Sequence, residues 1–233
     1  VRRRWIAHMI ANLLLLLTAA IWGFGFVAQV LGMNYLEPFA FIGARFVLGA
    51  LSLLPVIWYL QRQEITAGPG IGYLIYASCV LGTILFAASS FQQVGLLYTT
   101  ASNAGFITGM YMVFVPIFGL MLGMATGLVT WLGCIVAATG LFMLGVNDRY
   151  EIGYGDLLQL AGAGIWAAHI LAIDHFTKYA PGVQLACGQF VVCAALGAIV
   201  SMVFAGETTT WPQLVAAVPT LIYAGIITVG VAY

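Results

Sequence analysis

Apolar stretches about as long as a membrane is thick follow one another along this chain, separated by short polar breaks. A hydrocarbon core of about 30 Å requires roughly 20 apolar residues in a helix, and only helices or closed barrels satisfy their backbone polar groups in lipid. Hydrophobic residues make up 63% of the chain and charged residues 6%, which is typical of a protein that uses lipid as its solvent. The sequence therefore predicts an all-α polytopic membrane protein.

The polar breaks divide the chain into eight predicted spans. Their bounds are 9–29, 38–60, 71–92, 101–122, 127–146, 156–176, 182–204 and 213–233. Basic residues next to membrane helices stay on the cytoplasmic side, and one threading satisfies this rule with the N-terminus inside. It places five basic residues in the cytoplasm and Arg149 outside, while Arg45 falls within a helix. The cytoplasmic set is Arg2, Arg3, Arg4, Arg62 and Lys178.

An internal duplication relates residues 21–50 to the segment 144 positions later, with no gap. The first copy starts inside and the second outside, so the repeats are inverted, an arrangement that opens a midplane site to either side in turn. The matching residues are Ile21, Trp22, Ala28, Tyr35, Phe46, Val47 and Ala50 with Ile165, Trp166, Ala172, Tyr179, Phe190, Val191 and Ala194.

The duplication predicts two inverted five-helix repeats and ten helices in all. We expect a first repeat at 1–147, an external linker at 148–155 and a second repeat at 156–233 that contains three helices. Because two helices of the second repeat are then missing, we expect the chain to be a fragment.

The segment 95–116, with the sequence GLLYTTASNAGFITGMYMVFVP, resembles the signature of EamA-type members of the drug/metabolite transporter superfamily. Ile21-Trp22-Gly23 with Arg45 in the next helix is similar to the same family. The resemblance implies ten helices, both termini in the cytoplasm, a bacterial inner-membrane location, and export or exchange of metabolites that are often amino acids.

Arg45 is the most informative polar residue, because seven positions into its helix it lies about 10 Å below the outer boundary. One interpretation is that it faces a central cavity and binds a carboxylate or phosphate of the solute. The alternative is that its long side chain extends to the lipid headgroups. Its repeat equivalent, Gln189, is polar but uncharged, so the site is expected to be asymmetric.

Trp22 and Trp166 occupy equivalent positions in the first helix of each repeat. They either line the cavity or pack helices together, with equal weight. Asn103 and Tyr111 are candidates to line the pathway, together with the backbone near Pro116, which should bend the fourth helix by freeing the carbonyl near Met112. Helix capping is the simpler interpretation of the polar residues around Asn103.

His169 lies deep in a helix and has two interpretations. It either carries protons or is a hydrogen-bonded structural residue, and the second is more common. Every Asp and Glu falls at or near a helix end or in a loop, so no carboxylate is expected at the midplane. This distribution favours facilitated diffusion or exchange, with proton antiport through His169 as the alternative.

Several other classes are disfavoured. Seven basic and seven acidic residues cancel, so no charge field attracts a nucleic acid. The four cysteines show no metal-ligand spacing, and no catalytic motif of an intramembrane enzyme is present. We expect a non-enzymatic transporter without metal or cofactor, whose partners are a small-molecule solute and the lipid bilayer. A passive structural or interaction protein is a remote alternative.

The small-residue spacing of Gly119, Gly123 and Gly127 predicts helix contact within the protomer, or less favourably a homodimer interface.

Labelling of single engineered cysteines with an impermeant reagent tests the orientation. We expect residue 149 to react from outside, and residues 62 and 178 to react only after the membrane is permeabilised. Any other pattern contradicts the inverted-repeat topology.

Overall fold

The computed structural model describes residues 2–62, 70–145, 152–204 and 209–232, and over these residues it contains helices and no strand. The last helix continues directly as a wider π-helical segment, Tyr223–Val231. The α-helices are α1 (Arg2–Gly32), α2 (Pro38–Arg62), α3 (Ile71–Gly95), α4 (Ala101–Thr108), α5 (Tyr111–Met121), α6 (Leu128–Gly145), α7 (Tyr154–Phe176), α8 (Gly182–Phe204) and α9 (Trp211–Ile222).

Seven helical segments of the described chain are long and apolar enough to cross a membrane. They include α4 and α5 taken together and α9 with its π-helical continuation, and α6 supplies a shorter apolar helix, Leu128–Gly140. The prediction of an all-α polytopic membrane protein is confirmed. Arg149 and most of the predicted linker lie outside the described residues, so the predicted repeat boundaries stay a prediction.

The predicted fourth span, 101–122, is two helices rather than one. The interruption lies at Gly109 and Met110, whereas α5 continues through Pro116, where a bend was expected. Proline cannot donate to the carbonyl of Met112 one turn earlier. The Cys134 thiol on α6 donates to that carbonyl at 3.5 Å, so the freed acceptor is used to attach α6.

Short polar contacts fix the helix ends. Glu37 accepts hydrogen bonds from the backbone N–H groups of Phe39 (2.9 Å) and Ala40 (2.6 Å) and so caps α2. Asp156 accepts from the Gly153 N–H at 3.0 Å at the start of α7 and from the Thr99 hydroxyl at 2.6 Å. These carboxylates therefore stabilise helix N-termini.

Helices α2 and α8 pack against each other at the centre of the bundle, with α3, α7 and the π-helical segment beside them. The rings of Phe46 and Phe190, equivalent residues of the two repeats, lie 5.6 Å apart there. Glycine permits backbone contact at the crossing, since a Cβ on Gly197 would lie 2.9 Å from the nitrogen of Gly43.

Two further glycines, one on each side of this crossing, allow a similarly close approach to a backbone carbonyl. A Cβ on Gly82 of α3 would lie 2.8 Å from the carbonyl oxygen of Gln189, and one on Gly225 would lie 2.7 Å from that of Arg45. Arg45 and Gln189 are the residues that the duplication pairs. The packing on both sides of the α2–α8 crossing therefore follows the same pattern.

Gly119 and Gly123 belong to the turn between α5 and α6. Gly123 has a φ of 77°, in the left-handed region that favours glycine. The N–H of Met124 donates to the carbonyl of Gly119 at 2.9 Å, and that of Gly123 donates to Leu120 at 2.9 Å. This is the hydrogen-bond pattern of a glycine C-cap. Gly119 and Gly123 therefore end helix α5, whereas the small-residue spacing had predicted a contact between helices.

Replacement of Gly82 by Ala tests the packing of α3 on α8. The added Cβ would lie 2.5 Å from Cβ of Val192, and we expect overpacking to lower the free energy of unfolding by about 1–3 kcal/mol. Gly72→Ala on the same helix is the control, because no atom lies within 4 Å of its Cβ position. Equal thermal stability of the two variants in detergent would contradict this packing.

Candidate functional site

Arg45 of α2 lies in the interior of the helix bundle and not toward lipid. Arg45 is 5% exposed, and its Nη1 donates a hydrogen bond of 2.6 Å to Oε1 of Gln29 on α1. Its Nε is buried and has no hydrogen-bond partner in the described part of the chain. The alternative of an arginine that extends to the lipid headgroups therefore does not fit the structure.

Gln29 is the centre of a buried set of hydrogen bonds. Its Oε1 also accepts from Nε2 of Gln92 on α3 at 2.9 Å, while its own Nε2 donates to the carbonyl of Gly25 at 3.1 Å. The hydrogen bond from Nε2 to Gly25 orients the side-chain amide of Gln29, so that the amide oxygen faces both Arg45 and Gln92. One carboxamide oxygen thereby joins α1, α2 and α3.

The hydrogen bonds continue from Gln92 to α7. Its Oε1 accepts from the indole N–H of Trp166 at 3.1 Å, and its backbone carbonyl accepts from Nε2 of Gln159 at 2.8 Å. Gln159 in turn accepts from the hydroxyl of Thr108 on α4 at 3.3 Å. We call Gln29, Arg45, Gln92, Gln159 and Trp166 the glutamine network.

His169 and Gln189 form a second buried pair, next to the glutamine network. The two residues are 1% and 2% exposed, and His169 Nε2 lies 2.8 Å from Oε1 of Gln189. Because a carboxamide oxygen only accepts, this contact requires the proton of the imidazole to be on Nε2. The imidazole lies edge-on to the Trp166 ring, with centroids 5.7 Å apart. The pair therefore contacts the network through Trp166.

A cavity of about 310 Å³ begins at Gln189 and lies between α2, α3, α7, α8 and the π-helical segment. Except for Thr177 and Gln189, its lining consists of aliphatic side chains and glycine. The lining residues are Leu53, Leu81, Ile173, Thr177, Gly182, Val183, Leu185, Ala186, Gln189, Val229 and Gly230. The cavity lies toward the C-terminal end of α7, whereas Gln159 of the network lies near its N-terminal end.

Three sequence candidates lie apart from this arrangement. Trp22 is 37% exposed on α1, unlike its repeat equivalent Trp166. Asn103 and Tyr111 are half-buried in the first turns of α4 and α5. The backbone N–H of Asn103 donates to the Thr100 hydroxyl at 3.1 Å, which is the expected N-cap. Within the described residues, no hydrogen bond joins these three side chains to the glutamine network.

Gln29 and Gln159 are part of the site but were not singled out from the sequence. Their signal is a carboxamide within an apolar stretch, because buried polar groups in a membrane require partners. Gln92, by contrast, lies near the C-terminal end of α3. Its burial, 6% exposed, supports a place inside the bundle.

No carboxylate of the described chain is close to Arg45. Glu37 and Asp156 cap helices, and Asp174 pairs with Lys178 at 2.7 Å at the end of α7. The guanidinium is thus a buried positive charge whose hydrogen-bond partner is a neutral amide.

Residues 9–146 match the EamA-like transporter family. This chain belongs to that family. Two proteins of Archaeoglobus fulgidus, each described as an uncharacterized transporter, are similar to it. One is 31% identical over 220 residues, with 88% of this chain and 63% of its own length covered. The other is 28% identical over 230 residues, with 93% and 75% covered. A crystal structure with 21% sequence identity superposes with a TM-score of 0.62 over 92% of this chain and 76% of its own, and shows the same fold.

Replacement of Gln92 by Leu tests the glutamine network of this EamA-like chain. The change leaves the Trp166 indole N–H without its acceptor, and we expect the free energy of unfolding to fall by about 1–3 kcal/mol. Gln184→Leu is the matched control, because Gln184 is half-buried and its side chain makes no hydrogen bond with the described residues. The measurement is thermal unfolding in detergent, and a smaller effect at Gln92 than at Gln184 would contradict the network.

Proposed function

We propose that this EamA-like chain is part of a secondary transporter that moves a small carboxylate-bearing metabolite, an amino acid or a related solute, by alternating access. The observation that carries the proposal is the buried Arg45, which has a neutral amide and no described carboxylate as its partner. A charge at this depth is costly, and in membrane proteins it marks a substrate or ion pathway. A solute carboxylate would supply the missing negative charge.

The position of Arg45 relative to the cavity supports an amino acid as a solute of suitable size. The Phe46 ring contacts the Arg45 guanidinium on one side and the ring of Phe190 on α8 on the other, and Phe190 directly follows Gln189, which lines the cavity. A solute whose apolar part occupies the aliphatic cavity can therefore direct its carboxylate past Gln189 toward Arg45.

Alternating access is supported by the different character of the two ends of the bundle. The glutamine network closes the end near Gln159 with buried hydrogen bonds, whereas the cavity occupies the other end. The similar packing on both sides of the α2–α8 crossing would let the halves exchange these roles. With the N-terminus inside, the cavity faces the cytoplasm of a prokaryotic cell; we propose the bacterial inner membrane, although the relatives reported above are archaeal.

Proton antiport through His169 is the second candidate function. It is favoured by the complete burial of the imidazole beside the cavity. The hydrogen-bond partner of its Nε2 is the neutral Gln189, and the described carboxylates lie at helix ends. Facilitated diffusion or exchange therefore remains the preferred mechanism.

Counterflow in liposomes that contain the full-length protein tests both candidates. The panel consists of labelled L-amino acids and small organic acids, each with and without a pH gradient. Saturable counterflow that is independent of the gradient supports exchange or facilitated diffusion. Accumulation driven by the gradient supports the role of His169, and the absence of flux for every solute contradicts the proposal.

Arg45→Gln tests the charge requirement. We expect it to abolish counterflow of carboxylate-bearing solutes, because a neutral amide cannot replace the ionic interaction. Size-exclusion chromatography and thermal unfolding establish that the variant still folds. Unchanged uptake by a folded variant would mean that Arg45 has a purely structural role.

A further inference from the structure

Gln29, which sequence analysis did not single out, makes the one described side-chain hydrogen bond to Arg45. Its Oε1 is 2.6 Å from Nη1 of Arg45, and the residue is 3% exposed. A carboxylate at this position would be the usual partner of a buried guanidinium, with charge-assisted hydrogen bonds about twice as strong as neutral ones. The carboxamide satisfies the donor without neutralising its charge.

We propose that Gln29 is a specificity-determining residue whose carboxamide oxygen occupies the place that a solute carboxylate takes on Arg45. The inference rests on the proposed function and adds a ligand exchange to it. The carboxylate displaces Oε1 of Gln29 from Nη1 and bridges Nη1 and Nη2, the two terminal nitrogens of the guanidinium. Two donors on one guanidinium fit the two oxygens of a carboxylate.

The same oxygen of Gln29 also accepts from Gln92, so its displacement affects a second hydrogen bond at 2.9 Å. Gln92 in turn accepts from Trp166, whose ring lies against His169, and His169 contacts Gln189 at the cavity. The side chains of Gln29, Gln92, Trp166 and Gln189 are neutral and exchange partners without creating a new charge. Anion binding at Arg45 thereby loosens the contacts that join α1, α2, α3 and α7.

A neutral residue at position 29 is essential to this exchange. With glutamate there, Arg45 would be paired permanently within the protein, and a solute anion would meet a second negative charge. Gln29→Glu keeps the shape of the side chain and changes its charge. The variant therefore introduces a competing carboxylate at the atom that the solute is proposed to displace.

The experiment measures thermal stabilisation of the full-length protein by the solute panel used for counterflow, with each solute present as the free acid and as its amide. We expect at least one acid, but not its amide, to stabilise the native protein. This stabilisation should be lost in Arg45→Gln. In Gln29→Glu, the acid concentration required for half-maximal stabilisation should rise about tenfold or more.

Gln29→Glu should also be at least as stable as the native protein without solute, since it pairs with Arg45, whereas Gln29→Leu should be less stable. Gln184→Glu is the matched control, because it adds a carboxylate in the first turn of α8, where negative charge is tolerated. We expect native solute affinity in this control.

Unchanged acid affinity in folded Gln29→Glu would overturn the inference, while counterflow by the native protein would leave the proposed function standing. Counterflow without stabilisation by any acid would likewise overturn it, because the solute would not engage Arg45. If neither counterflow nor stabilisation is found, the proposed function fails and the inference fails with it.

Discussion

The hydrogen bond between Arg45 and Gln29 connects a buried charge to a neutral partner, and the arrangement of the site depends on it. Burial of an unpaired guanidinium in a membrane is costly. Part of the cost is offset by the amide oxygen at 2.6 Å and by the adjacent Phe46 ring, whose centroid is 5.0 Å from the guanidinium carbon. Because the partner is uncharged, the positive charge remains available to an anion, and the helices around it are held by bonds that can be exchanged.

The apolar core follows the predicted duplication, whereas the polar site does not. Phe46 and Phe190 are equivalent residues and their rings contact each other at the α2–α8 crossing. By contrast, the residue equivalent to Gln29 is Ile173, which lines the cavity. Within the described residues, the hydrogen bond between Arg45 and Gln29 therefore has no counterpart between the equivalent positions, Gln189 and Ile173. Similar packing supports similar movements of both halves, and dissimilar side chains allow a single solute site.

Hydropathy and charge were sufficient to predict the spans, because the requirement for apolar helices in lipid is independent of tertiary contacts. The depth of Arg45 within its helix left two interpretations open, and the packed structure shows that the side chain is buried. The hydrogen-bond partner of Arg45 was not predictable, since Gln29, Gln92 and Gln159 come together only when α1, α3 and α7 pack and the amides take compatible rotamers. The interruption at Gly109 was not predicted either, because the proline of this span lies at Pro116 and suggested a bend there. Helix α5 continues through Pro116, and the thiol of Cys134 binds the carbonyl that the proline leaves without a donor.

The chemistry of neutral amides accounts for how such a site operates without a described carboxylate at mid-membrane. A carboxamide both donates and accepts, so a glutamine that loses one partner can bind another without taking up or releasing a proton. In the His169–Gln189 pair, too, the partner of the imidazole is a neutral amide and not a carboxylate. In the proposed function, movement of an anion past these groups would change the net charge at Arg45 alone. Proton coupling would instead require a group that changes charge within the cycle. This difference is the physical reason for which exchange, and not antiport, is the mechanism we propose.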